Sequence, residues 1–172
     1  MRVTDIREVY RFYRGRDADE RLLYHPFPEG GLRLMALLTL LSVGRGLLPH
    51  FRHVSPRASA SVYVVRTSPS GEFVGQGALN YRRIGADGEL VARTGIYVMP
   101  AARRHGVGRI LNEQMVAQAR SFGVRRAEAL IVPRNAASRA TFESMGYRLT
   151  PSGIHDLRPP FEEFLLAERD IS

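Results

Sequence analysis

The segment 96–111 constrains the fold of this chain more than any other stretch. It begins with apolar residues up to Val98, Pro100 then ends the strand pattern, and an apolar helical pattern follows a short basic stretch. This order predicts a β-strand, a tight loop and a helix in direct succession. Gly106 and Gly108 lie in the turn, where glycine permits a positive φ and a close approach of the backbone.

A loop of this kind is suited to binding an anion. The first N–H groups of a helix have no partner within the helix, and they lie at the positive end of its dipole. Four basic side chains surround the same turn: Arg103, Arg104, His105 and Arg109. The predicted ligand is a phosphate or pyrophosphate. An ordinary strand-to-helix turn, with the glycines present for packing alone, is the alternative, because a G-x-G pattern by itself is weak evidence.

The sequence beyond this loop contains a second block of motifs. A helix is predicted over 106–122 and a strand over 127–132, and a second helix pattern follows. Residues 90–149 resemble the GNAT superfamily of acyl-CoA-dependent N-acetyltransferases. Three blocks in the family's order and spacing carry the resemblance: Ile96-x-Val98-x-Pro100, Arg103-x-x-Gly106-x-Gly108, and Asn135-x-x-Ser138 followed by Met145-Gly146-Tyr147.

The resemblance implies an α/β (α+β) fold with a mixed, mostly antiparallel central sheet flanked by helices. The strand ending at Val98 and the strand 127–132 would be parallel and would splay apart, leaving a gap for the pantetheine arm of acetyl-CoA. The amide of Val98 would donate to the thioester oxygen, as an oxyanion hole does. Cofactor contacts are expected from the first strand end, the loop and the second block: Ile96, Tyr97, Val98, Arg103, Arg104, His105, Gly106, Val107, Gly108, Arg109, Asn135 and Ser138.

Helix capping is the alternative role for two of these residues. Asn and Ser are favoured at helix N-termini, and Asn135 and Ser138 stand where the second helix begins.

The catalytic groups expected from the resemblance are missing. The usual glutamate base would fall at Leu130, and the usual tyrosine acid corresponds to Phe142. Glu128 lies two residues before Leu130, on the same side of the strand, and is the candidate general base. A solvated strand-end glutamate beside Arg125 and Arg126 is the alternative.

The length of 172 residues predicts a single domain, 1–172. Residues 1–59 are expected to form a helical segment on the acceptor side, 60–149 the cofactor-binding core and 150–172 the closing strands. Asp5 is expected to cap a first helix, and an apolar second helix is expected over 32–43. Five strands are expected around the 127–132 strand: 61–66, 73–81, 90–98, 148–149 and 161–167.

Composition narrows the partners. All 25 basic residues are arginine, and the formal net charge is +8, which suits an anionic ligand such as CoA. The arginines are scattered rather than grouped with aromatic residues, so nucleic acid is not expected as a partner. Without cysteine, neither a disulfide nor a thiol-based metal site is possible, and no metal is expected. No membrane span or signal peptide is predicted, and the expected location is the cytoplasm.

The resemblance to the GNAT superfamily implies an N-acetyltransferase that moves an acetyl group from acetyl-CoA to a primary amine of a small molecule or protein. The vacant positions Leu130 and Phe142 favour a second hypothesis, a GNAT-fold module that binds CoA or a partner without turnover. The sequence leaves the acceptor and the acyl length open. A homodimer through the apolar segment 32–43 is a further expectation.

Overall fold

The computed structural model describes residues 61–155 and 163–172, and the predicted N-terminal helices and dimer segment lie outside these ranges. Within them, six strands form one sheet and two helices follow the third and fourth strands. The strands are β1 (Ser61–Arg66), β2 (Phe73–Ile84), β3 (Glu89–Val98), β4 (Arg126–Ile131), β5 (Arg148–His155) and β6 (Glu163–Asp170). The helices are α1 (Val107–Ser121) and α2 (Ala136–Ser144).

The sheet has the order β1-β2-β3-β4-β6-β5. β3 and β4 run parallel, and every other neighbouring pair is antiparallel. A parallel pair needs a crossover connection, and α1 is that crossover. The predicted fold class, a mixed and mostly antiparallel sheet flanked by helices with one parallel pair, is confirmed.

Two glycines of β2 let α1 lie close against the sheet. A Cβ at Gly75 would lie 2.9 Å from the Tyr97 carbonyl oxygen, and one at Gly77 would lie 3.0 Å from the Met115 sulfur. The helix buries an apolar stripe of Leu111, Met115, Val116 and Ala119 against the sheet. A Cβ at Gly75 would also lie 3.2 Å from the Val107 side chain, so a side chain at either glycine would push α1 away from β2. Sequence reasoning placed both glycines in a strand but gave them no role.

The sheet has two unlike faces, here called the helix face and the far face. The helix face carries α1 and α2, which contact each other through the Arg109 side chain and the Ser144 carbonyl (3.3 Å). Because side chains alternate along a strand, the residues between the helix-facing ones belong to the far face. The registers place seven residues there that matter below: Gln76, Ala78, Arg82, Arg93, Tyr97, Glu128 and Leu130.

Three strands continue past the residue at which the sequence predicted their end. β2 continues to Ile84 instead of ending at Tyr81, and β6 runs to Asp170. β5 was expected over two residues and spans eight, Arg148–His155. Pro151 interrupts the sequence pattern, but β5 is the last strand in the sheet order, where a residue without an N–H is tolerated.

Candidate active site

The parallel pair β3–β4 opens into a gap, as the sequence predicted. Its ladder covers only three residue pairs, from Val91–Arg126 to Arg93–Glu128. Beyond them β3 continues to Val98 beside β2, and β4 continues beside β6. At the point of separation the Thr94 hydroxyl donates to the Glu128 carbonyl at 3.3 Å, so a side chain stands where the backbone ladder stops.

The backbone of β3 turns its Val98 amide toward this gap. The Met99 N–H donates to the Val74 carbonyl at 2.9 Å, on the β2 side of the strand. Successive N–H groups of an extended chain point to opposite edges, so the Val98 N–H points away from β2. It therefore faces the edge along which β4 has separated.

The loop after β3 has the backbone geometry of an anion-binding turn. A 3₁₀ turn at Pro100–Ala102 ends the strand direction, and Arg104 and Gly106 then adopt positive φ angles of 69° and 77°. Residues in the left-handed region next to right-handed ones bring successive N–H groups onto one concave side. The positive φ of Arg104 is unusual for a non-glycine residue, and it lies inside the predicted phosphate loop.

The first turn of α1 leaves its N–H groups accessible. Gly106 is the N-cap and has no side chain to accept from them, and no described side chain caps this end. No acidic residue stands in the first turn, and Ile110 N–H is the one that returns to the Gly106 carbonyl. The amides of Val107, Gly108 and Arg109 thus form the positive end of the helix dipole next to the loop.

The basic side chains of the loop do not all serve as free positive charges. Arg103 donates from Nε to the Val98 carbonyl (3.1 Å), and its guanidinium lies 5.8 Å from the centre of the Tyr97 ring. The His105 ring places Nδ1 2.8 Å from the Arg103 carbonyl, while Arg104 is exposed. Arg103 thus links the loop to the end of β3, a contact that sequence reasoning did not anticipate.

Gly108 lies at the junction of α1, α2 and the end of β3. A Cβ built there would be 3.8 Å from Thr141 and Val98 and 3.9 Å from Ile96. A methyl group fits at these distances, whereas a longer side chain would extend into the space beside the open end of β3. The other loop glycine, Gly106, has no described atom within 4 Å of its built Cβ and is required for its positive φ.

Asn135 caps α2. Its Oδ1 accepts the Ser138 N–H at 3.0 Å, and the residue is 8% exposed. The capping alternative therefore holds for Asn135, and Ser138 takes part through its backbone. The cap uses only the oxygen of the side-chain amide, so cofactor contact by the amide nitrogen stays a prediction.

Glu128 is neither solvated nor paired with Arg125 or Arg126, so that alternative is wrong. Its side chain is 1% exposed and lies on the far face at the foot of the gap. Arg82 donates to both carboxylate oxygens, from Nε to Oε1 and from Nη2 to Oε2 at 2.6 Å. Arg93 Nε donates to Oε1 at 2.7 Å. Burial alone would raise the pKa of Glu128, but the hydrogen bonds and charges of the two arginines outweigh it and lower the pKa.

Phe142 and Leu130 occupy the two positions where catalytic groups were expected, and both side chains are apolar. Phe142 is 5% exposed and packs edge-on against the Tyr147 ring, with centroids 5.0 Å apart. Leu130 follows Glu128 on the far face, beside the open gap, and is half-buried.

Neither a metal site nor a membrane-spanning helix is found among the described residues. Among these residues, no group of three His, Asp or Glu side chains comes together in a way that would hold a metal ion. The helices of the same ranges are too short or too polar to cross a membrane.

Comparison with known proteins agrees with this geometry. The profile of the acetyltransferase (GNAT) family matches residues 34–147, and the chain belongs to that family. No curated protein matches the sequence.

Three solved structures illustrate the similarity of fold. The GNAT domain of S. lividans PAT is 21% identical, with a TM-score of 0.69 over 99% of this chain and 87% of that one. A phosphinothricin acetyltransferase from Sinorhizobium meliloti, in complex with AcCoA, is 19% identical, with a TM-score of 0.67 over 97% and 83%. A ribosomal-protein-alanine N-acetyltransferase from Brucella melitensis is 19% identical, with a TM-score of 0.67 over 97% and 94%.

Proposed function

We propose that this protein is an acetyl-CoA-dependent N-acetyltransferase that acts on a primary amine of a small molecule or protein. One arrangement carries the proposal: the uncapped N-terminus of α1 adjoins the end of β3, whose Val98 amide faces the gap beside β4. Phosphate groups and a thioester are thus offered backbone donors within one continuous stretch. The S. meliloti neighbour, which was crystallised with AcCoA, supports this choice of co-substrate.

The loop and the first turn of α1 would hold the pyrophosphate. The donors are backbone N–H groups of residues 104–109, with the positive φ of Arg104 and Gly106 setting their direction. Arg109 lies in the first turn and adds a positive charge, although its Nη2 also donates to the Ser144 carbonyl. Because these donors belong to the backbone, their positions depend on the loop geometry more than on side-chain identity.

The gap would hold the pantetheine arm, and Val98 would serve the reacting carbonyl. The thioester supplies an acyl group whose oxygen gains negative charge when the amine nitrogen attacks. The Val98 N–H would then stabilise that charge. The C–S bond breaks, the sulfur leaves as a thiolate that takes up a proton, and the amine nitrogen gives up one.

Glu128 is the only carboxylate described at the foot of the gap, and as general base it remains a prediction. Its ion pairs with Arg82 and Arg93 oppose this role, because a carboxylate with a lowered pKa takes up a proton less readily than an ordinary one. The geometry favours an ion-pairing role for Glu128. The amine would then have to reach the site in its neutral form.

A pH–rate profile tests these alternatives together with the activity. A lysine-like amine has a pKa near ~10.4, so only about one molecule in a thousand is neutral at pH 7.4. Without a base, kcat/KM should rise about tenfold for each pH unit across the neutral range. If Glu128 is the base, wild type should level off well below the pKa of the amine and Glu128→Gln should not. Acetyl-CoA that binds but is not consumed with any of a panel of amines would contradict the proposal.

The second hypothesis, a CoA- or partner-binding module without turnover, rests on Leu130 and Phe142. Neither side chain can exchange a proton, and Phe142 is buried against Tyr147. Proximity alone can supply ~7–11 kcal/mol of a barrier, so the missing groups do not by themselves prevent catalysis.

A further inference from the structure

Within residues 61–155 and 163–172, the far face of the sheet has an open space beside the gap, centred on Gly95. This residue belongs to the part of β3 that has separated from β4, and it pairs with Ala78 of β2. A Cβ built on Gly95 would have no described atom within 4 Å. Gly95 and Ala78, which lie side by side, thus leave a depression on the far face. A pantetheine arm that entered the gap from the helix face would emerge at this depression.

Gln76 lies one residue pair from this depression and has no partner for its amide. It pairs with Tyr97 on the same face and is 2% exposed. Among the described residues, neither Nε2 nor Oε1 of Gln76 finds a hydrogen-bond partner. A buried amide left unpaired is strongly unfavourable, so buried amides in native structures are almost always satisfied by protein, water or a ligand.

Arg93 lies at the other end of the depression, two residues from Gly95 along β3. Its Nε is occupied by Glu128, whereas its Nη2 is buried and has no partner among the described residues. The depression therefore lies between an amide that needs one donor and one acceptor and a guanidinium nitrogen that needs an acceptor. These requirements define the chemistry of what can fill it.

We propose that this depression binds the acceptor and that Gln76 selects amines that carry a carboxamide group. The proposal rests on the proposed function and names its substrate class. A carboxamide pairs with the Gln76 amide through two hydrogen bonds, one in each direction, and satisfies both atoms at once. A carboxylate would satisfy Nε2 and leave Oε1 opposite a negative oxygen, and an alkyl group would leave both atoms unpaired.

The test compares two amines of the same shape, β-alaninamide and 3-methylbutylamine, which differ by a carboxamide in place of an isopropyl group. With acetyl-CoA in excess and each amine's concentration counted as its neutral form, wild type should favour β-alaninamide in kcat/KM by at least about tenfold, mainly through KM. Gln76→Leu should lose most of that preference, mainly through a higher KM for β-alaninamide. Gln114→Leu, at an exposed position of α1, is the matched control and should keep the preference.

A structural role for Gln76 would give a different result. Because the amide has no described partner, Gln76→Leu should leave the melting temperature unchanged or raise it, whereas loss of a structural hydrogen bond would lower it. Equal preference for the two amines in wild type, or a preference that survives in Gln76→Leu, overturns the proposal.

Calorimetry on the CoA-saturated protein separates this proposal from the proposed function. If CoA binds and neither amine does, the acceptor site is wrong and the cofactor site stands. If CoA itself does not bind, the proposed function fails and the acceptor proposal fails with it.

Discussion

The two faces of the sheet meet at the gap between β3 and β4, but backbone groups form the candidate site on one face and side chains form the cluster on the other. On the helix face, the candidate cofactor site consists of backbone amides, two glycines and a helix N-terminus within residues 98–109. On the far face, the foot of the gap is a cluster of side chains from three strands, with Glu128 between Arg82 and Arg93. One site depends on the path of the backbone, and the other depends on which side chains the strand registers bring together.

The largest effect is expected where a side chain enters the backbone-built site. Gly108→Leu should lower CoA affinity more than about 100-fold, which is ~2.7 kcal/mol, because the side chain would extend into the space beside Val98 and Thr141. Gly108→Ala is the matched control, since a methyl group fits at 3.8 Å and alanine is the better helix former. Titration calorimetry measures both, and full affinity in Gly108→Leu would place the phosphate site elsewhere.

The next largest effect tests whether Glu128 and its two arginines on the far face form a stabilising ion cluster. Glu128→Gln should reduce the free energy of unfolding by about 2–4 kcal/mol, because it leaves two arginines facing a neutral group in a buried position. Glu113→Gln, at a half-exposed pair with Arg169, should cost less than about 1 kcal/mol. Denaturant unfolding at pH 7 measures these values, and similar losses in both variants would mean that Glu128 is no more than a surface ion pair.

The same variant has a pH dependence with a defined sign. The folded protein lowers the pKa of Glu128, so the stabilisation is present above the ordinary pKa of a glutamate, ~4.3. It is lost as the pH falls from there through the lowered value. The stability difference between wild type and Glu128→Gln should therefore shrink below about pH 4, and a difference that grows with acid would contradict the ion-pair assignment.

The smallest expected effect concerns Phe142 of α2, on the helix face. If protonation of the leaving thiolate limits turnover, Phe142→Tyr should raise the acyl-transfer rate by about tenfold. This increase is smaller than the ~10²–10⁴-fold rate gain that a well-placed general acid supplies. We expect the edge-on contact with Tyr147 to hold the tyrosine ring where the Phe142 ring lies. Single-turnover thiol release measures the rate, and an unchanged or lower value would mean that another group or water already protonates the sulfur.

The contrast between the faces also explains what the sequence could reveal. The strand, loop and helix around Gly106 were predictable because their signals lie within sixteen consecutive residues and each is local. The environment of Glu128 was not, because Arg82 and Arg93 lie 46 and 35 positions away in sequence. Only the register that pairs Arg93 with Glu128 brings them together, so sequence neighbours such as Arg125 gave the wrong partners.

The lengths of some strands and the roles of Gly75 and Gly77 could not be predicted for a similar reason, because they depend on parts of the chain that are distant in sequence. Pro151 interrupts the alternating pattern, yet it is compatible with β5 at the end of the sheet order. Gly75 and Gly77 are ordinary glycines in sequence, and their necessity depends on α1, which begins some 30 residues later.

The contact from Arg103 to the Val98 carbonyl has a consequence for how a ligand would be received. One side chain joins the anion loop to the strand end, and stacking on Tyr97 fixes its direction. The proposed phosphate-binding loop and the proposed thioester-binding strand end are thus linked directly by one side chain. We expect this link to hold the two at a fixed distance before a ligand binds, which would reduce the ordering cost of association.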